Sequence, residues 1–292
     1  MIRKYQLLLF CTLLGGYVRA QYDSDYVNYS YVTLGGKADS CSVVEMMRSG
    51  ERVKVKYFAD KDASGKTPYQ RYQNWSKTKS IIAVSSGTYY AEGNLKPVGI
   101  CMDDGVIINR KEEDMDGLVI IYKTGGIVTS DLDEGNLSVK DEDGTSLTLN
   151  LRNQFDREKF FEWGKRNYAT VFQTHLLYFR DQIRVNSNGS SKMRERRFLA
   201  AAIDDYGKLK YFIINLINYH TLYDATKKTV DYLKSKVDKI VFMVNLDPGA
   251  QDYYEVRKPD GEKFRHSKEG KSFFQGNLPI EATKNLLVFY FE

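Results

Sequence analysis

Two apolar, β-prone runs joined by one amphipathic stretch constrain this chain more than any other feature. The first run is "KLKYFIINLI" at 208–217 and the second is "KIVFMVNLD" at 239–247. Between them, "TLYDATKKTVDYLKSK" places apolar or small residues at Leu222, Ala225, Thr229/Val230 and Leu233, which is helical spacing. Thr221, followed three residues on by Asp224, is a Thr-x-x-acid capping box that fixes the helix start. Strand, helix and strand with short joints form a βαβ unit near residues 208–247 and predict parallel strands. Ligands bind outside the carboxyl ends of parallel strands. Those ends are Asn218-Tyr219-His220-Thr221 and Asn245-Leu246-Asp247-Pro248-Gly249. If the two strands are neighbours, His220, Asn245 and Asp247 converge.

Around this unit the pattern is mixed. "ERVKVKYFA" at 51–59 alternates as a half-buried strand does, and "SIIAVSS" at 80–86 reads as a short buried strand. Between 97 and 150 the turn signals "DDG", "MDG", "TGG", "DEG" and "DEDG" separate short β-prone runs, so the first half is rich in hairpins. Residues 154–168, with Phe155, Phe160, Phe161 and Trp163, predict a helix. The fold class is therefore α+β: a mixed β-sheet core with helices on the sheet. Residues 21–40 read as a loosely ordered lead-in and 182–197 as a long polar loop, leaving 41–292 as one domain. The 22 tyrosines and only 5 prolines suit a β-rich, ordered chain.

Residues 1–20 carry Arg3 and Lys4, an apolar run from Leu7 to Leu14, and Val18-Arg19-Ala20 at the end. That is the pattern of a secretory signal peptide, and the run is too short to span a bilayer comfortably. Export to a periplasmic or extracellular space is the expectation. The leader holds three positive residues and no acid, so its removal takes the formal net charge from +5 to about +2, too small to imply a nucleic-acid partner. The densest basic run, "MRERR" at 193–197, reads by default as a solvated loop and more sharply as an anion site. Cys41 and Cys101 could pair in an oxidising compartment, but two cysteines make no disulfide scaffold. The sequence has no CxxC, HExxH, G-x-S-x-G or P-loop.

Four stretches over roughly residues 80–256 carry a family resemblance. They are "IIAVSSGTYYAEGNLKPVGICMDDGVIIN", "VFQTHLLYFRDQI", "RRFLAAAIDDYGKLKYFIIN" and "HTLYDATKKTVDYLKSKVDKIVFMVNLD". In order and content they resemble the phosphodiester glycosidase family, which includes a lysosomal enzyme that removes the N-acetylglucosamine cap from mannose 6-phosphate. Small secreted or periplasmic bacterial members have this size. The chain departs from the family where a glycine run becomes Pro248-Gly249-Ala250-Gln251. Glycines let backbone N–H groups approach a phosphate, and Pro248 has none to offer. Phe198 stands where the family has Thr after Arg197, and Ser85 or Ser86 stands where it has Asn.

The resemblance implies hydrolysis of sugar-1-phosphate diesters, at a rate lowered by the altered loop. It implies catalytic roles for Asp247, His220 and Arg197, and substrate contacts from Asn245, Gly87, Thr88, Tyr89, Gly249 and Thr221. Arg197 would hold a phosphate oxygen bidentately. Asp247 would act as base, nucleophile or stabiliser of an oxocarbenium-like centre, with His220 moving a proton. No cofactor is required, although Asp247 and Asp252 are hard oxygen donors of the kind that bind Ca or Mg. The partner is a carbohydrate or glycosyl phosphate. A rival from another class is a non-catalytic glycan- or cell-wall-binding protein on the same scaffold. Taken singly, each residue has a plainer reading: Asp247 as a turn opener, His220 as a helix-preceding residue, Arg197 as a surface charge or a partner of Asp204, Thr88 and Tyr89 as loop packing.

Overall fold

The structure is a computed structural model and describes residues 26–35, 40–48, 52–59, 65–90, 97–141, 143–189, 191–249, 252–258, 261–267, 270–272, 276–278 and 283–292. The signal peptide expected at 1–20 lies outside the described residues. The first half contains β1 (Val27–Thr33), β2 (Ser40–Met47), β3 (Val53–Ala59), α1 (Pro68–Ser76), β4 (Ser80–Ser86), β5 (Cys101–Asp103), β6 (Val106–Asn109), β7 (Gly117–Ile121), β8 (Ile127–Asp131), β9 (Leu137–Lys140) and β10 (Ser146–Leu149). Then come α2 (Gln154–Arg166), β11 (Thr170–Thr174), β12 (Leu176–Phe179), β13 (Gln182–Ile183), β14 (Arg194–Ile203), β15 (Leu209–His220), α3 (Leu222–Lys234) and β16 (Lys239–Leu246). The chain closes with β17 (Tyr253–Arg257), β18 (Lys263–Ser267), β19 (Gly270–Ser272), β20 (Gly276–Leu278) and β21 (Asn285–Phe291).

Three sheets surround one central core. The first has the order β1-β2-β15-β14-β16-β12-β13, the second β6-β5-β11-β7-β8, and the third β18-β17-β4-β21-β3. Val44, Leu199 and Ile213 from the first, Val119 and Phe172 from the second, and Val55, Leu287 and Phe289 from the third meet in that core. The outer face of each sheet is covered by one helix. α3 lies on Phe198, Phe212 and Met243 of the first sheet. α2 brings Phe160, Phe161 and Trp163 to the second, and α1 brings Tyr69 and Tyr72 to the third. Strands buried on both faces explain why their sequences run almost continuously apolar. On β14, Leu199 and Ala201 face the centre while Phe198, Ala200 and Ala202 face α3, the two-residue period of a strand.

The α+β class expected from the sequence is the class observed, and the hairpins fall where Asp103-Asp104-Gly105, Thr124-Gly125-Gly126 and 141–144 predict them. Helix α3 starts as expected: the Thr221 hydroxyl oxygen accepts from Asp224 N at 3.1 Å and donates to Asp224 Oδ2 at 2.7 Å. Three expectations need correction. β15 and β16 do point the same way, but each is antiparallel to β14, which lies between them. The connection through α3 therefore crosses a strand. β14 offers the small Ala200 and Ala202 on the helix side, and it pairs along both edges. Within the supposed lead-in, Val27–Thr33 forms edge strand β1, held by its register with Ser40–Met46. The supposed loop at 182–197 ends in strand, because Arg194–Arg197 already belongs to β14. Cys41 and Cys101 sit on different sheets as buried free thiols, and burial pushes the Cys41 thiol up to about 12. Among the described residues no helix is long and apolar enough to cross a membrane.

Candidate functional site

The site forms where the end of β16, the start of β14, the β11–β12 junction and the turn after β4 meet. The Asp247 N–H donates to the Gly87 carbonyl at 2.9 Å and ties β16 to that turn. Asn245 N donates to the His175 carbonyl at 3.0 Å, and the Thr174 hydroxyl donates to the Asn245 carbonyl at 2.6 Å. The turn itself is clamped from β21: Asn285 Oδ1 accepts from Gly87 N and Asn285 Nδ2 donates to the Thr88 carbonyl, both at 2.9 Å. The Thr88 hydroxyl donates to the Gln173 carbonyl. Gln173 spends its amide on Ile100 N, Glu113 N and O, and Met115 O, holding the loop before β7 in place.

Asp247 is 9% exposed and faces a mixed field. Burial first, then the nearby Asp252 carboxylate, push its carboxyl up to about 7, against the pull of Arg194, Arg197 and the Gly249 N–H. A carboxyl poised there exchanges a proton at neutral pH. Beside it, Asn245 Nδ2 donates to the Tyr89 hydroxyl, while Asn245 Oδ1 is buried with no hydrogen-bond partner. A buried unsatisfied acceptor is costly, and it marks a place where a donor from a ligand fits. Tyr89 is pushed up by burial and by Asp247. Its ring meets His175 edge-on at 5.5 Å. Burial lowers His175, helped by Arg196, with Asp116 and Asp114 pulling the other way.

The predicted residues divide into two groups. Asp247, Asn245, Tyr89, Gly87, Thr88 and Gly249 are brought together. Gly249 packs so tightly on Asp247 that a Cβ there would stand 2.9 Å from both carboxylate oxygens. Arg197 is held in a different way. Its guanidinium is fully buried, with Nη1 and Nη2 on Asp252 Oδ1 and Oδ2 at 2.5 and 2.8 Å, and Nε on Asn215 Oδ1 at 2.9 Å. It also lies over the Tyr254 ring at 4.4 Å. Its fork is thus committed to the protein rather than open to a phosphate. His220 lies on β15, so its convergence with Asp247 loses its premise when β14 intervenes. Its backbone carbonyl accepts from Arg196 Nε at 3.1 Å. Thr221 caps α3. Asp252 lies near Asp247 but turns both oxygens to Arg197, and among the described residues no cluster of three or more His, Cys, Asp or Glu forms.

Sequence reasoning passed over His175 and left Arg194 and Arg196 inside a basic run. The signal for His175 was a lone titratable group in the β-prone run "VFQTHLLYF", at the junction of β11 and β12. For the arginines it was alternation: Arg194 and Arg196 sit two apart on β14, with Arg197 between neighbours of the opposite face. Arg194 is exposed, while burial and Arg194 lower Arg196 to about 10.

Gly87 is required for packing. A Cβ on it would stand 2.6 Å from Asn285 Oδ1 and 2.7 Å from the Tyr57 ring, both fully enclosed. Gly87→Ala is expected to cost about 1–3 kcal/mol, the usual range for overpacking. Urea denaturation reads this directly, and an unchanged midpoint would mean that Asn285 and Tyr57 yield without loss.

Sequence comparison finds no matching family model and no matching curated protein. The fold does find neighbours. The structure is similar to the catalytic domain of zebrafish N-acetylglucosamine-1-phosphodiester alpha-N-acetylglucosaminidase, solved auto-inhibited by its pro-peptide, with TM-score 0.51 and 14% identity over 91% of this chain and 82% of that one. A hypothetical protein from Synechocystis aligns at TM-score 0.49 and 8% identity over 92% of this chain and 62% of that one. At 14% identity the likeness to the zebrafish domain is one of fold alone.

Proposed function

We propose that the chain is an exported hydrolase of sugar-1-phosphate diesters. The observation that carries this reading is geometric: a nearly enclosed Asp247 carboxyl stands beside an unsatisfied Asn245 oxygen, on a fold similar to that of an enzyme of this chemistry. In the reaction, water adds to the anomeric carbon and the bond from that carbon to the phosphate oxygen breaks. A phosphomonoester leaves. Asp247 gives or takes the proton, and Asn245 Oδ1 accepts from a sugar hydroxyl. The exposed Arg194 guanidinium takes over the phosphate contact that the sequence reading gave to Arg197, whose donors already have partners. Pro248 removes one N–H from the loop beside the phosphate, so turnover is slow.

The test is release of reducing sugar from a panel of glycosyl-1-phosphate diesters, nucleotide sugars included. Slow, saturable release is the expected result. A folded protein that releases nothing from the panel yet binds glycans would place the chain with the non-catalytic glycan binders.

A further inference from the structure

A second concave site lies away from Asp247. Trp75 and Tyr290 flank the beginning of β4, where Tyr290 pairs with Ile81, whereas the Gly87–Tyr89 turn follows its end. At that opposite end a cleft of about 390 Å³ opens between the second and third sheets. Its volume falls in the range of small-molecule sites, roughly 300–1,000 Å³. Five aromatic residues line it, the fully buried Tyr57 and the more accessible Trp75, Tyr122, Tyr168 and Tyr290, together with Lys56, Lys123 and Asp104. The Trp75 and Tyr290 rings meet edge-to-face at 4.7 Å. The Lys56 ammonium is paired with the Asp104 carboxylate.

The backbone singles this cleft out independently. Among the described residues four non-glycine residues have positive φ, and two of them line it: Asp104 at 50° and Tyr168 at 48°. Tyr168 follows the C-cap residue Asn167 of α2, the place where a helix usually puts glycine. A bulky residue there is an outlier, and such strain concentrates at functional sites. Burial gives little back, since Tyr168 is 56% exposed and its ring faces the Lys123 ammonium at 5.2 Å. A stability argument alone would put glycine at 168.

We propose that this cleft binds an oligosaccharide. Flat aromatic faces suit the C–H face of a pyranose ring. The Lys56–Asp104 pair supplies a donor and an acceptor for sugar hydroxyls at one wall. The inference stands apart from the hydrolase reading: the fully buried Tyr57 lines the cleft and also packs under Gly87, but Trp75, Tyr122, Tyr168, Tyr290, Lys56 and Asp104, which would meet a sugar here, lie outside the Asp247 site.

The test titrates the purified protein with maltotriose, cellotriose, chitotriose and trigalacturonate, following tryptophan fluorescence. The chain has two tryptophans, Trp75 at the cleft and the fully buried Trp163, so a ligand-induced change reports on Trp75. A saturable change with at least one of the four is expected. Tyr168→Gly should weaken that binding tenfold or more while Tm stays at or above wild type, and Asp247→Asn should leave it unchanged. No saturable change with any of the four overturns the proposal. So does binding that survives Tyr168→Gly, binding lost in Asp247→Asn, or a fall in Tm on Tyr168→Gly, which would give the tyrosine a structural role.

Discussion

Arg197→Met is expected to lose about 3–5 kcal/mol of unfolding free energy, the usual cost of breaking one side of a buried ion pair. The guanidinium and the Asp252 carboxylate are both fully buried, and each contact in the fork is replaced by nothing when the arginine goes. Asp252 is left as a lone charge, and Asn215 Oδ1 loses its donor. Arg197→Lys is not expected to rescue, because one ammonium cannot span two carboxylate oxygens and Asn215 together. The double variant Arg197→Met with Asp252→Leu is expected to regain much of the loss, since a well-packed apolar pair often replaces a buried ion pair at little cost. Guanidinium denaturation of the three variants settles it. A single Arg197→Met variant as stable as wild type would return Arg197 to the role of an uncommitted phosphate ligand.

This pair shows what a sequence discloses and what it hides. The α3 helix was legible because its cap, period and apolar stripe are all local: Thr221 with Asp224, then Ala225, Val230 and Leu233. The hairpins were legible for the same reason, each turn being written in three or four adjacent residues. The order of strands was not. Nothing in residues 208–247 announces that β14, earlier in the chain, will lie between β15 and β16. Likewise, the partner of Arg197 is 55 residues away and arrives through β17's lead-in, so the nearer Asp204 was the natural but mistaken suggestion. Asp204 instead caps its own turn, accepting from Tyr206 N and Lys208 N.

The candidate site divides along the same line. Asp247, Asn245 and the Gly87–Tyr89 turn were found because they sit at strand ends, where local pattern marks the position. Their electrostatic state depends on burial and on Asp252, Arg194 and Arg197, which local pattern does not report. The Arg197–Asp252 pair therefore acts on Asp247 from a distance. Asp252 raises the Asp247 carboxyl and Arg197 lowers it, so the pair tunes the neighbouring acid while anchoring β17 to the first sheet.

Asp247→Asn is expected to lower sugar release by roughly a hundredfold or more, the scale of a positioned acid–base group. The substitution keeps the shape and an oxygen for the Gly249 N–H, and removes only the ability to hold or give up a charge. Wild-type rate should change with pH around 7, where the carboxyl titrates, and the variant should lack that inflection. Stability should move the other way. A carboxyl with a folded value of about 7 holds its proton more tightly folded than unfolded, where the value is about 3.9. Its contribution to folding is therefore complete below about pH 4 and is lost as pH rises through 7. Asparagine is neutral throughout, so at pH 8 the variant should be more stable than wild type by about 1–4 kcal/mol. That range follows from roughly 1.4 kcal/mol for each tenfold difference in proton affinity between the folded and unfolded chains, reduced where the site relaxes around the charge. At pH 5 most of that advantage should be gone. Thermal unfolding at the two pH values, beside the rate measurement, separates the possibilities. A slower and more stable variant fits a charge kept buried for chemistry. A variant with unchanged turnover removes Asp247 from the reaction, and one destabilised at pH 8 means that the carboxylate is held by partners stronger than the burial that opposes it.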